Sequence, residues 1–414
     1  MSEVNQKTPI GWRSARLGEV CRIVGGSTPS SGVSEFWDGE IVWITPTDLG
    51  RLNGERDVVR SARRITEAGY KSCGTELLPV GSVIMSSRAP IGHLGIARVS
   101  LCTNQGCKSF VPQNGLDSDF LFFRLHASMP EIQALGSGST FTEVSKRRLE
   151  KFEIDLPPLE EQRRIAERLR EQLSILAEAR AALEAQLKAA DALPVANLRA
   201  VFETPESKLW PRKTVGQMIH DGALIEHQDG NHGELHPRNR DFVTDGLKFV
   251  TAKHINDGGR VLFDSAPCIS ETQASGLRIG FAQANDVLLA HNATVGKVGI
   301  APPECEPFVV GTSLTIYRTN AKILDSKFVF YALTAAEFQK QLVAAMKQTT
   351  RNQVPITKQR TLSVPWPPLE IQRAIANSLE AEFAASKALR KSIYEKLREL
   401  KKLPAALLRM AFRQ

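Results

Sequence analysis

With 414 residues the chain is long enough for more than one core, and about two to four domains are expected at this length. A formal net charge of +8 favours an acidic polymer over a small neutral ligand as partner. Six scattered cysteines (Cys21, Cys73, Cys102, Cys107, Cys268, Cys305) without a C-x-x-C pair argue against a disulfide scaffold, and the lack of any 18-residue apolar run argues against a membrane span. MSEVNQKTPIGWRS lacks the apolar segment of a leader, so a soluble cytoplasmic protein is expected.

Residues 1–155 alternate strand-like runs with glycine and proline punctuation: IVWIT (41–45), GSVIMSS (81–87), GIARV (95–99) and FEIDL (152–156). FLFFRLHASMPEIQALG (120–136) has the three-to-four spacing of one amphipathic helix. The mixture predicts a mixed α+β (α/β) globular domain. From Leu159 to Leu193 there is neither glycine nor proline. Ile165, Leu169, Leu173, Leu176, Leu183, Leu187 and Ala190 form a helical stripe behind Pro157 and Pro158. Residues 204–365 repeat the first plan: IVWITPTDL (41–49) aligns with LKFVTAKHI (247–255), and GSVIMSSRAPIGHLGIA (81–97) with NDVLLAHNATVGKVGIA (285–301). KFVFYALTAAEFQKQL (327–342) matches the first helix. A second long helix from Leu369 to about Leu403 carries the stripe Leu379, Phe383, Leu389, Ile393, Leu397 and Leu400.

The repeat is most exact around these helices. LPPLEEQRRIAERL (156–169) returns as WPPLEIQRAIANSL (366–379), and LPVANLRAVF (193–202) as LPAALLRMAF (403–412), both displaced by 210 residues. One displacement for two blocks means that the segment between them kept its length. The expected organisation is two similar domains (1–155 and 204–365), each followed by a helical segment (156–203 and 366–414). Their stripes would pair as an antiparallel coiled coil about a pseudo-two-fold axis.

Catalytic signals are sparse. There is no phosphate-cradling G-x-x-x-x-G-K-[ST] loop, no G-x-G-x-x-G after a strand and no Asp/Asn-Pro-Pro-aromatic motif. His227, His232 and His236 lack metal-ligand spacing, and Cys102 and Cys107 read as buried thiols beside a turn rather than as nucleophiles. No catalytic residue, metal site or resident cofactor is expected. What remains is a set of donor-rich loops at equivalent places, whose side chains are those that bond base edges and phosphates. The first half offers Ser27 and Thr28 (loop 25–32), Thr45 and Thr47 (45–51), Arg88 (86–93), Asn104, Gln105 and Lys108 (103–108), and Thr140 and Lys146 (136–146). The second offers His232 (227–240), Lys253 and His254 (251–257), His291, Asn292 and Lys297 (291–297), Thr312 (310–313), and Thr350, Arg351 and Asn352 (347–353). The frame is kept while the tips differ, as reading two unrelated short sequences on one duplex requires.

P-x-G-W-x4-L-G-E-V (Pro9 to Val20), the G-G-S-T-P loop, W-I-T-P-T-D-L, the N-Q-G-C-K turn and the twice-occurring P-P-L-E-x-Q start together resemble the specificity subunit of type I restriction–modification systems, over essentially the whole chain. The resemblance implies a non-catalytic subunit whose two target-recognition domains each read half of a bipartite, asymmetric double-stranded DNA target. It implies that the helices pair antiparallel and dock two modification subunits, for which Leu159, Gln162, Arg163, Leu369, Gln372 and Arg373 at the helix starts are the candidates. S-adenosylmethionine for adenine methylation, and ATP with Mg for the restriction subunits, would then belong to those partners. The second domain departs further from the pattern: D-G-N-H-G stands for G-G-S-T-P and A-H-N (290–292) for S-S-R. Two rival readings are a free-standing DNA-modifying enzyme and a coiled-coil scaffold whose globular ends bind protein.

Overall fold

A computed structural model of the chain describes residues 11–52, 54–113, 115–136, 142–347 and 352–412; the candidates Thr140, Thr350 and Arg351 lie outside them. The chain divides into two compact units, residues 1–184 with 395–414, and residues 185–394. Each unit therefore holds one domain together with parts of both helical segments.

In the first unit the main sheet runs in the order Cys21–Gly25, Cys107–Pro112, Val83–Ser86, Leu94–Ala97, Asp57–Val58, antiparallel except for the last, parallel pair. The second unit repeats it as Leu224–Asp229, Leu314–Thr319, Val287–Ala290, Val298–Ile300, and a parallel bridge from Arg260 to Ile300 replaces the edge strand. A second sheet in each unit is built on one parallel pairing, Trp37–Ile44 with Leu101–Thr103 and Leu247–Val250 with Phe308–Val310. The strands Val83–Ser86, Leu94–Ala97 and Val287–Ala290 are buried on both faces, which is why they read as unbroken apolar runs.

The expected single helix over 120–136 is two helices, Ser118–Ala127 and Met129–Ala134. Pro130 lacks the N–H that would continue the ladder. Its counterpart also breaks, into Ser326–Thr334 and Ala336–Met346, where Ala335 turns extended at ψ 146°.

The P-P-L-E-x-Q motif locks each long helix onto its own domain. Gln162, buried, donates its amide to the carbonyls of Gly115 and Pro157 and accepts from the backbone N–H of Asp117 at 2.9 Å. Asp117 in turn caps the helix Ser118–Ala127 through its own side chain. Gln372 repeats this, donating to Pro367 and accepting from Asp325, the cap of Ser326–Thr334. Gln162 and Gln372 are thus removed from the candidates for partner docking, because their polar atoms are spent inside the domain. Arg163 lies 4.0 Å from Asp117 and Arg373 donates to the Ala321 carbonyl, both with exposed side chains; Leu159 and Leu369 are half-buried.

The second repeated block closes the cores. In the first unit Ile165, Ala166 and Leu169 enter the domain core together with Leu408, Ala411 and Phe412, whose ring meets Phe120 at 5.6 Å. In the second, Ala376 and Leu379 enter with Leu198 and Phe202, whose ring meets Phe328 at 5.9 Å. Each core is therefore sealed by the start of one helical segment and the end of the other.

The first long helix does not stop at Leu193. It runs from Leu159 to Phe202, 44 residues with Pro194 inside. The proline ring carries no N–H for the carbonyl of Ala190. The buried Ser386 hydroxyl donates to that carbonyl instead, at 3.3 Å, and the adjacent Arg390 pairs with Asp191 at 2.6 Å. Within this unit the two helices run antiparallel, since 386 and 390 face 190 and 191. Ser386 rather than Leu389 occupies the seam: Leu389 is 45% exposed, and 379, 383, 386, 393, 397 and 400 keep the heptad spacing. The second copy does break, into Leu369–Leu400 and Leu403–Ala411, with Pro404 at the start of the latter.

Candidate nucleic-acid interface

Five loops meet at one end of each domain, through the same backbone bonds. In the first domain Ser27 N–H donates to Thr103, Asn104 N–H to Ile44, Ser87 N–H to Gly106 and Val144 N–H to Ser87, all at 2.8–3.0 Å. In the second, Asn231 N–H donates to Val310, Gly311 N–H to Val250, His291 N–H to Ser313 and Val354 N–H to His291, all at 2.7–3.0 Å. A glycine is required where the first loop crosses the fourth. A Cβ on Gly26 would lie 2.2 Å from the Thr103 and Asn104 carbonyls, and one on Gly230 would lie 2.1 Å from that of Gly311. This glycine is what G-G-S-T-P and D-G-N-H-G share.

In the first domain two indole N–H groups hold the opening loop, Trp43 to the Ser27 carbonyl at 3.0 Å and Trp37 to that of Ser30 at 3.1 Å. Thr28, exposed, donates to the Gln105 side chain; Asn104 turns its carboxamide oxygen back onto Gly106 N–H. Thr45 is spent on a helix cap with Asp48, whereas Thr47 beside it is exposed. Lys108 is paired in the free protein: its side chain is 12% exposed, and its ammonium lies 3.0 Å from Glu143 and 3.3 Å from the Ser87 hydroxyl. Arg88 lies 3.8 Å from the same carboxylate. Partial burial raises the Glu143 pKa, but Lys108, then Arg88 and Ser87, outweigh it and hold the group below the usual carboxylate range. Lys146 is exposed and pairs with Glu150 one turn on. Beneath the loops, burial pushes the thiols of Cys102 and Cys107 up to about 11 and about 12, so neither is a thiolate at neutral pH.

In the second domain Lys253, Thr312 and Asn352 are exposed, and Lys297 lies 3.7 Å from Asp257. His232 is exposed with its ring tied to the Gly230 carbonyl, and His236 to that of Asn231, while His227 lies on a core strand against Tyr317; the three do not converge. His254 is buried, and its Nδ1 accepts from Thr251 N–H, so it shapes its turn and does not reach out. His291 is also buried. It lies 3.5 Å from Asp229, and Asn292 beside it bridges to Gln353. Burial lowers the pKa of both histidines, for His291 against the pull of Asp229. Asp229 begins a chain the sequence did not reveal. It accepts from the Thr315 hydroxyl, which accepts from the Gln359 amide, whose carbonyl accepts from the buried Tyr317 hydroxyl. Glu143 carries as little signal in the sequence, although the 210-residue register sets it against Gln353 and marks the position as variable between the copies.

A frame built twice, each copy ending in five loops of different polar chemistry over the same backbone bonds, defines a two-headed recognition protein. The chain belongs to the family of type I restriction modification DNA specificity domains, whose profile matches residues 9–189 and 243–399. It is 27% identical over 358 residues to the type I restriction enzyme MjaIX specificity subunit of Methanocaldococcus jannaschii, covering 83% of this chain and 80% of that protein. It is 25% identical over 332 residues to the EcoBI specificity subunit of Escherichia coli, covering 76% and 69%. The solved HsdS subunit from Thermoanaerobacter tengcongensis has the same fold, with a TM-score of 0.70 at 22% identity over 100% of this chain and 99% of that one. A chain from a structure of the type I R-M system gives a TM-score of 0.71 at 22% identity, over 98% and 99%. The protein is a non-catalytic component that serves DNA sequence recognition within a multisubunit complex. No helix among the described residues is long and apolar enough to cross a membrane.

Proposed function

We propose that each domain reads one half of a bipartite, asymmetric target on double-stranded DNA, the first through its loops at 25–32, 45–51, 86–93, 103–108 and 136–146 and the second through their counterparts. The observation that carries this is the convergence of those loops over duplicated backbone bonds while the side chains differ. The exposed residues Thr28, Gln105, Lys146, Lys253, Thr312 and Asn352, with Arg88 and Asn292, are the first contacts to test. A base-reading arginine should cost about 1–3 kcal/mol when removed and relax one position, whereas a phosphate-binding lysine should weaken all sequences alike.

The helical segments, in this reading, set the gap between half-sites and dock two modification subunits. These subunits bind S-adenosylmethionine and methylate an adenine in each half, and restriction subunits with ATP and Mg complete the complex. Arg163, Arg373, Leu159 and Leu369 stay candidates for that docking. The work takes place in the cytoplasm. One heptad inserted at 177–178 together with one at the matching 387–388 keeps both stripes in phase and lengthens each helix by about 10 Å. The gap should then grow by a few base pairs, and an unchanged gap would refute the ruler.

The deciding experiment is co-expression with the cognate modification subunit and mapping of methylated adenine across host DNA. One bipartite motif with a fixed gap is expected. A stable complex that methylates nothing would favour a protein-binding scaffold, and DNA altered by this chain alone would make it an enzyme.

A further inference from the structure

The loop end of the first domain contains an acidic group where a DNA-facing surface would be expected to hold only cations and neutral donors. Glu143 Oε1 lies 3.0 Å from Lys108 Nζ and 3.3 Å from Ser87 Oγ, and Oε2 lies 3.8 Å from Arg88. The side chains of Glu143 and Arg88 are each 36% exposed, so the carboxylate is reachable from outside and is not a core ion pair. Resting on the reading that this domain meets DNA, we infer that Glu143 is a specificity-determining residue for the first half-site.

Glu143 acts through charge balance. Phosphates that draw Lys108 and Arg88 away leave Glu143 unpaired beside a polyanion, which penalises any sequence offering it nothing. A base that presents an exocyclic amine in the major groove, cytosine N4 or adenine N6, donates to the carboxylate and removes the penalty. The second domain has no such penalty at the matching places. Gln353 stands for Glu143, Asn292 for Arg88 and Thr315 for Lys108, side chains that donate and accept without charge. At these three places the second domain carries no charge, and its carboxylate Asp229 accepts from Thr315 and faces His291 instead.

The test uses the complex with its modification subunit, carrying Glu143→Gln or, separately, Lys108→Gln, with thermal unfolding as a check that each variant folds. DNA carrying the whole target is compared with DNA scrambled in the first half-site, and methylated adenines are mapped. Glu143→Gln should bind the scrambled DNA more tightly and reduce discrimination by about 5- to 150-fold, and the mapped motif should become degenerate at one amine-bearing position of the first half alone. Lys108→Gln should weaken both DNAs alike and leave the motif intact. Unchanged discrimination in a folded Glu143→Gln complex, or the same relaxation from Lys108→Gln, would overturn the inference and leave Glu143 as a support for the lysine. A wild-type complex without a bipartite motif would instead overturn the DNA reading beneath it.

Discussion

The two domains differ most in the layer just below their loops. Where the first pairs Ile23 with Phe110 across neighbouring strands and packs Leu149 nearby, the second pairs His227 with Tyr317 and has Gln359. The apolar version needs only shape. The polar version must satisfy each group, and the bonds from Tyr317 through Gln359 and Thr315 to Asp229 largely do so, while both ring nitrogens of His227 and His291 lack a well-formed hydrogen bond. What is constant between the domains is thus the set of backbone bonds between loops. The chemistry beneath can be exchanged because those bonds do not depend on it.

Four measurements test how far the two domains agree. The largest effects should come from the seals, where the domains ought to agree. Phe202→Ala should destabilise the second unit by about 3–5 kcal/mol, and Phe412→Ala the first by a similar or slightly smaller amount, each read by peptide-resolved hydrogen exchange in urea. If Phe202→Ala loosens the first unit instead, the pairing of tails with cores is wrong.

Acid should separate the domains. Burial, then the nearby Arg360, lowers His227 to about 4, and burial also lowers His254 and His291. The unfolded chain binds the extra protons, so these contributions are fully present above about pH 6.5; for His227 up to about 1.4 kcal/mol per pH unit is lost as the pH falls towards 4, and His254 and His291 act in the same direction. In the first domain burial lowers His126. The contribution of Glu143 has the same sign in a lower window: it is present above about pH 4.5 and disappears as the pH falls through its depressed folded value. Urea titrations at pH 7.5 and 5.5 should show the greater loss in the second domain, and equal losses would refute the assignment.

Smaller effects follow at the helix starts. Gln162→Ala and Gln372→Ala should each cost about 2–3 kcal/mol, Gln162→Ala the more, because it leaves a backbone N–H and two carbonyls unpaired where Gln372→Ala leaves an N–H and one carbonyl. Smallest is Ser386→Ala, which strips the donor from the Ala190 carbonyl. It should cost about 1 kcal/mol and raise hydrogen exchange around 190–198, with no change near 400–408.

Much of this frame could be read from the residues, since a repeat displaced by one interval with both proline-led starts intact left little freedom in the order of elements. The loops, too, were found where the punctuation put them. What stayed hidden were matters of which polar group faces inward. A buried glutamine at a helix start is indistinguishable in sequence from a surface one, and Gln162 and Gln372 are of the buried kind. Pro194 signals a stop unless a donor from a residue nearly two hundred positions later is known, and Leu389 looks like a seam residue until Ser386 proves to be needed there. His254 and His291 carry the right chemistry for DNA, yet burial commits them elsewhere, and the carboxylate that holds Lys108 gives no sign in the sequence.

The sealing of each core by a distant tail has a consequence for the order of synthesis. Phe202 is made before the domain it closes, so the second core can be completed as its own strands and helices emerge. The first domain, finished at residue 156, must wait for Leu408 and Phe412. At about 5–20 residues per second that interval lasts roughly 13–50 s, during which Phe120 and its neighbours lack their cover. A nascent chain stalled before residue 408 should therefore present its oldest domain as its least protected one.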